Sequence, residues 1–141
     1  MVDLWSKFRL NVCNNLPQAI LGAGVGCYRD SEHMRIISDA LKSELEAVAT
    51  AKGIDLSLAE GPSVYGSAVP PSARYSTLQD LDSGRHTEID MFSGALVRMG
   101  RELGIPMPYN EFAYHMINAL EEKNDGLFDY EGRENERTCA R

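Results

Sequence analysis

The sequence has no apolar run near the ~20 residues that a membrane-spanning helix requires. Its N-terminus also lacks the basic and then apolar order of a signal peptide. Cysteine is scarce, and the spacing of Cys13, Cys27 and Cys139 fits no zinc motif. These absences predict a cytoplasmic protein with reduced thiols, no bound metal and no membrane partner.

Basic residues are also under-represented. The 141 residues include 14 Lys and Arg against 21 Asp and Glu, which gives a net charge of −7. A surface of that sign repels phosphate backbones, so we expect no nucleic-acid partner. Hydrophobic residues make up 43% and charged residues 25%, values that are ordinary for one globular domain.

Apolar residues recur at helical spacing along most of the chain. The pattern predicts long helices over residues 3–21, about 30–52, 87–103 and 109–123, and a short helical turn over residues 76–81. Asp30 or Ser31 caps the second helix, Gly53 ends it, and its predicted buried stripe is Met34, Ile37, Leu41, Leu45 and Val48. No strand is predicted, so the fold class is all-α.

Other boundaries follow from breakers and composition. Pro17 is expected to kink or end the first helix, and Gly104 to end the third. We expect a loop over residues 54–75, and Phe112, Met116 and Leu120 on the inner face of the last helix. The domain is predicted to cover residues 1–123, and the polar segment 124–141 to be a disordered tail.

The glycines at positions 22, 24 and 26 superficially match a dinucleotide-binding fingerprint. That fingerprint follows a strand and has Gly or Ala at its sixth position. Here a helix precedes the glycines and Cys27 occupies the sixth position. The segment is therefore predicted to be a turn between helices.

Polar side chains line one face of the first helix. Lys7, Asn11 and Asn15 are four residues apart, and Gln18 nearly extends the row. A single helical lysine is usually just solvated. Two asparagines are unusual within a helix, however, because asparagine favours caps. The spacing leaves open a solvated face or a row of donors for a polar ligand.

A second polar cluster comprises residues 75–80 and 85–90. Helix capping is one explanation, since Thr87 can cap the third helix and Glu88 and Asp90 suit its first turn. Capping does not account for the whole cluster, so a functional role also stays open.

Four segments resemble the C-terminal domain of ketopantoate reductases (2-dehydropantoate 2-reductases). They are Trp5-Ser6-Lys7 with Asn11 and Asn15, Tyr75-Ser76-Thr77-Leu78-Gln79-Asp80, Arg85-His86-Thr87-Glu88-Ile89-Asp90 with Gly94, and Gly104-Ile105-Pro106-Met107-Pro108-Tyr109-Asn110. Their order and spacing agree with that family over residues 4–123. The resemblance implies a helical fold of the 6-phosphogluconate dehydrogenase C-terminal type.

The resemblance also implies roles for individual residues. Lys7 corresponds to the catalytic lysine, and Asn11, Asn15 and Ser76 correspond to residues that bind substrate. Glu88 corresponds to the acid at the substrate and nicotinamide site, which makes it both a catalytic and a cofactor-binding candidate. In one departure, Val25 precedes Gly26 where the family often has an asparagine.

The implied reaction is NADPH-dependent reduction of ketopantoate to pantoate, in pantothenate biosynthesis. A positioned ammonium would stabilise the developing alkoxide and donate a proton. NADPH would be bound mainly by a Rossmann domain that this sequence does not contain, so we expect the chain alone to be inactive. Two alternatives stay open: a non-catalytic helical binding or homodimerisation module, and a relative that acts on another 2-keto acid.

Overall fold

The computed structural model describes Trp5, residues 8–56 and residues 70–130. Six helices, and no strand, form within these residues, which confirms the all-α prediction. Helix α1 has a π-helical part, Leu10–Asn15, followed by an α-helical part, Leu16–Leu21. The others are α2, Cys27–Asp30; α3, Glu32–Ala51; α4, Ser76–Asp82; α5, with a π-helical part Asp90–Gly94 and an α-helical part Ala95–Leu103; and α6, Pro108–Asn124.

One hydrophobic core joins five of these helices and leaves α2 at its margin. Val12 and Leu16 of α1, Leu45 of α3, Leu96 of α5 and Ile117 of α6 meet in it, all almost fully buried. A small second cluster surrounds Tyr28 of α2. None of the helices in the described parts of the chain is long and apolar enough to cross a membrane.

Helix α3 begins and ends where the sequence predicts. The Ser31 hydroxyl accepts from the Met34 N–H at 3.3 Å, and Gly53 takes a left-handed φ of 77° just beyond the helix. The predicted stripe is wrong at Ile37, which is 38% exposed. Its neighbour Ser38 is buried instead, because its hydroxyl donates to the Cys13 carbonyl at 2.9 Å.

Helix α6 matches its predicted bounds within one residue but presents a different face to the core. Phe112 is 64% exposed, and Met116 and Leu120 are only partly buried. The buried positions include Asn110, whose Nδ2 donates to Glu44 Oε1, and Glu121, whose Oε2 accepts from the Thr87 hydroxyl, whereas Asn110 Oδ1 has no partner among the described residues. The apolar pattern was misleading because hydrogen bonds make two polar side chains acceptable inside.

Helix α5 begins at Asp90, three residues later than predicted, and Thr87 does not cap it. The Thr87 N–H and hydroxyl both donate to Glu121 Oε2, at 2.9 and 2.5 Å. Thr87 therefore joins the segment before α5 to α6. Gly104 ends α5 with a left-handed φ of 70°, as predicted.

Besides the role of Lys7, three predictions concern parts of the chain outside the described residues. They are the greater part of the 54–75 loop, most of the predicted tail, and the state of Cys139. Within the described chain, Cys13 and Cys27 are free thiols.

Candidate functional site

The two asparagines of the predicted polar face lie on the π-helical part of α1. Asn15 is 7% exposed, and its side-chain amide donates to Asn11 Oδ1 at 2.8 Å. This bond fixes the amide of Asn15 and leaves Asn11 partly exposed. π-Helical turns occur frequently at functional sites, where they change the direction of side chains on one helix face.

The irregular geometry of α1 has two identifiable causes. Pro17 has no N–H, so it cannot bond to the Cys13 carbonyl four residues earlier. The Tyr28 hydroxyl is inserted one residue further along, where it accepts from the Gln18 N–H at 3.0 Å and donates to the Asn14 carbonyl. The helix therefore does not end at Pro17 but continues to Leu21, with a side chain inserted in its hydrogen-bond ladder.

Gln18 connects α1 to the segment before Ser76. Its side chain is 0% exposed, and both ends of its amide are bonded to main chain. Nε2 donates to the Ala73 carbonyl at 2.8 Å, and Oε1 accepts from the Tyr75 N–H at 2.9 Å. Ser76, the first residue of α4, follows directly. The structure thus brings Ser76 next to the helix that carries Asn11 and Asn15.

The glycine turn after α1 packs against the same segment. The Gly26 N–H donates to the Pro71 carbonyl at 2.9 Å, and the Val25 N–H to the Ala73 carbonyl at 2.8 Å. A Cβ at Gly24 would lie 2.2 Å from the Pro71 carbonyl oxygen, so no side chain fits there. The prediction of a turn between helices is confirmed, and main chain fills the space where a dinucleotide phosphate would need to bind.

The side chains of Ser76 and Glu88 are both exposed. Neither makes a side-chain hydrogen bond or ion pair within the described residues, so both are available to a ligand. Glu88 precedes α5, whose π-helical part packs against the π-helical part of α1. Phe8, just before α1, makes an edge-to-face contact with Phe92 of α5, with ring centroids 6.0 Å apart.

Lys7, the predicted catalytic residue, lies outside the described residues. The candidate residues that the structure does describe fall into two groups. Asn11 and Asn15 are bonded to each other on α1, which contacts the helix that begins with Ser76, whereas Glu88 precedes a helix that also contacts α1.

Burial raises the pKa of two ionisable groups in this region. Burial raises the pKa of Cys13 to about 12, so its thiol stays protonated. Burial also raises the pKa of Tyr75, which lies beside Ser76. Asparagine amides and a serine hydroxyl can orient polar oxygens of a small ligand without adding charge.

Sequence reasoning placed Gln18 only at the edge of the polar face and missed Tyr28. A buried glutamine after a helical proline has no distinctive pattern, because glutamine is an ordinary helix former. The partners of Gln18 are also 55 and 57 residues away.

Comparisons with known proteins agree with the fold and the motifs. Residues 1–121 match the family described as ketopantoate reductase PanE/ApbA C terminal. The 2-dehydropantoate 2-reductase of Vibrio cholerae is 34% identical over 123 residues, with 84% of this chain and 40% of that protein covered. The Pyrobaculum aerophilum enzyme of the same name is 30% identical over 118 residues, with 83% and 42% covered.

Solved structures of related proteins have a similar fold. A PanE/ApbA family ketopantoate reductase from Ralstonia eutropha JMP134 is 32% identical, with a TM-score of 0.75 over 87% of this chain and 42% of that one. A ternary complex of D-mandelate dehydrogenase with NADH and anilino(oxo)acetate is similar in fold, with a TM-score of 0.78, 23% identity, and 88% and 42% covered. The chain spans about two fifths of the length of the relatives it matches.

Proposed function

Because this chain belongs to the ketopantoate reductase C-terminal domain family, we propose that it forms the substrate-binding and catalytic-lysine half of an NADPH-dependent 2-dehydropantoate 2-reductase. Its substrate would be ketopantoate and its product pantoate. The observation that carries the proposal is the bonded Asn11–Asn15 pair on α1, together with the Gln18 contact that holds the residue before Ser76 against the same helix.

In this proposal the lysine has one task and the neutral polar residues share another. Lys7, by family resemblance, holds a proton at the substrate ketone and stabilises negative charge on that oxygen during reduction. The Asn11 and Asn15 amides and the Ser76 hydroxyl bind the carboxylate and hydroxyl oxygens of the substrate. The Asn15–Asn11 hydrogen bond supports this role, because an amide fixed before binding loses less entropy on binding.

The described residues fit a cofactor only in part. Glu88 offers an exposed carboxylate that could accept a hydrogen bond from a substrate or cofactor hydroxyl. The glycine turn provides no phosphate cradle, because main chain from residues 71–73 occupies it. NADPH supplies the hydride in this family's reaction. We therefore assign its binding mainly to a nucleotide-binding domain, whether in the same protein or supplied separately.

The identity of the 2-keto acid is a finer question. Val25, where relatives often have asparagine, is buried against Tyr28 and Met34 and offers no polar side chain. Reduction of a different 2-keto acid is therefore the alternative, and comparing kcat/KM for ketopantoate with that for less polar 2-keto acids would decide between the two.

The proposal is tested by pairing the chain with the nucleotide-binding domain of a related reductase, fused ahead of residue 3 or added in trans. We expect NADPH-dependent reduction of ketopantoate. Lys7→Ala should lower kcat by about 10²–10⁴-fold, the scale of a general acid. NADPH consumption measured at saturating substrate would give this value.

Lys42→Ala is the control. Lys42 is exposed on α3, and its loss should change kcat little. An active hybrid in which the two lysine variants behave alike would remove the catalytic role of Lys7. It would favour a non-catalytic module, with binding or dimerisation as its task.

A further inference from the structure

Gln18 is the most completely buried polar side chain near the candidate site, and the proposed reaction does not use it. It is 0% exposed, on a helix whose neighbouring polar residues, Asn11 and Asn14, are partly exposed. A buried amide is retained only where its donor and acceptor are both bonded, because burial of an unbonded polar group is costly. The two bonds to Ala73 and Tyr75 meet that condition.

The two bonds have a specific geometric effect. They reach main-chain atoms two residues apart, an acceptor at Ala73 and a donor at Tyr75, as a neighbouring strand would. A single bond would allow the segment to rotate about its contact, whereas two bonds fix both its position and its direction. The next residue is Ser76, so these two bonds fix the main chain immediately before α4, while Val25 and Gly26 bond the same segment further upstream.

The other end of the connection is equally well defined. Gln18 lies one helical turn after Asn15, and its own N–H is bonded to the inserted Tyr28 hydroxyl. A short path of covalent and hydrogen bonds therefore links the Asn15 amide, Gln18, the Tyr75 N–H and the Ser76 hydroxyl. The Gln18 side chain at the centre of that path has no exposed surface.

We propose that Gln18 is a positioning residue that sets the distance and orientation of the Ser76 hydroxyl relative to the Asn11–Asn15 pair. It acts through the main chain of residues 73–75, and it does not touch the substrate itself, since it has no exposed surface. This assignment rests on the proposed function, because it concerns the same 2-keto acid site.

The test replaces Gln18 with methionine, which is similar in length but forms neither bond. Ketopantoate is titrated into the 141-residue chain and followed by the amide NMR signals of Tyr75, Ser76 and Asn15. We expect Gln18→Met to weaken binding about ten-fold, the scale seen when a residue supporting a ligand-contacting group is lost. The Tyr75 amide should also exchange with solvent faster, since its acceptor has gone.

Gln79→Met is the matched control. Gln79 is an exposed glutamine whose Nε2 donates to the Arg74 carbonyl at 2.6 Å, in the same segment but from within α4. Its replacement removes one glutamine bond to this segment without disconnecting α1. Ketopantoate affinity should stay within about two-fold of that of the unaltered chain, a difference of about 0.4 kcal/mol.

Each outcome distinguishes the assignment from the function it rests on. If the unaltered chain binds and Gln18→Met binds equally well, Gln18 is only structural and the assignment fails alone. The assignment is also overturned if Gln79→Met weakens ketopantoate binding as much as Gln18→Met does. In that case loss of any side-chain bond to the segment would lower the affinity, and Gln18 would have no special role. If the unaltered chain fails to bind ketopantoate, the proposed function and the assignment both fail.

Discussion

Two long side chains in this domain each hold a segment that is distant in sequence, yet they do so with different chemistry. Gln18 joins α1 to the segment before α4 with a neutral amide. Glu44 joins α3 to the start of α6 with a carboxylate: Oε2 accepts from the Tyr109 N–H, and Oε1 from the N–H and side-chain amide of Asn110, at 2.7–2.9 Å.

The difference matches what each segment carries. The first N–H groups of α6 have no partner within the helix and lie at the positive end of its dipole, so an anion such as the Glu44 carboxylate stabilises them strongly. No candidate site residue lies there. The segment before α4 leads to Ser76, where a neutral amide fixes the main chain without placing a charge beside a ligand. We infer that the Glu44 contact serves stability, and that the Gln18 contact serves placement.

The largest stability effect should come from Glu44→Gln. The replacement loses charge-assisted hydrogen bonds and turns an amide donor toward main-chain N–H donors. We expect a loss of about 2 kcal/mol in the free energy of unfolding, measured by urea denaturation, with ketopantoate affinity unchanged. Glu46→Gln, on the exposed side of the same helix, is the control. A weakened affinity in Glu44→Gln would erase the distinction between the two contacts.

A smaller effect is expected from Tyr28→Phe on the α1 side. Without the hydroxyl, the Gln18 N–H and the Asn14 carbonyl can bond directly as in a regular helix, so much of the loss is recovered. We expect about 1 kcal/mol by the same urea measurement, against no change for Tyr109→Phe, whose side chain is exposed. A loss as large as that of Glu44→Gln would contradict the view that this part of α1 is less critical for stability.

The smallest effect concerns pH and the segment that precedes Glu88. His86 Nε2 lies 2.7 Å from Asp125 Oδ2, and this hydrogen bond, with the charges of Asp125 and Glu121, raises the pKa of His86. Its stabilising contribution is therefore complete below the ordinary histidine pKa of about 6.5, and is lost as pH rises through the raised value.

His86→Gln should accordingly reduce stability slightly at about pH 6 and not at about pH 9. Urea midpoints at both values would show this, with His33→Gln, an exposed histidine of α3, as the control. If the stability lost in His86→Gln were instead larger at about pH 9 than at about pH 6, the contact with Asp125 and Glu121 would not stabilise the protonated histidine.

The helices could be predicted from the sequence because their breakers and caps act locally. Ser31, Gly53 and Gly104 each end or begin a helix at the expected place. The inner face of α6 could not be predicted, since Glu44 and Thr87 supply hydrogen-bond partners to the buried Asn110 amide nitrogen and the buried Glu121 carboxylate. Those partners are remote in the chain, and no periodicity of apolar residues reveals them.

The candidate site shows the same division. The spacing of Asn11 and Asn15 predicted a shared helix face, and their hydrogen bond confirms it. The π-helical part of α1 depends on Pro17 and on Tyr28, which comes from another helix, so helical spacing alone does not predict it. The roles of Lys7, Ser76 and Glu88 come from family resemblance and stay predictions.

The segment before Ser76 has one further consequence, for how this domain can evolve. Bonds from Gln18, Val25 and Gly26 hold it at main-chain atoms of residues 71, 73 and 75, and of its own side chains Arg74 adds a bond to the Gly22 carbonyl. Substitutions of its side chains other than Arg74 can therefore leave most of these bonds intact. Gly24 and Gly26, by contrast, have no room to vary. A lineage could thus alter the chemistry around Ser76 for a new substrate while the scaffold beneath it stays constant.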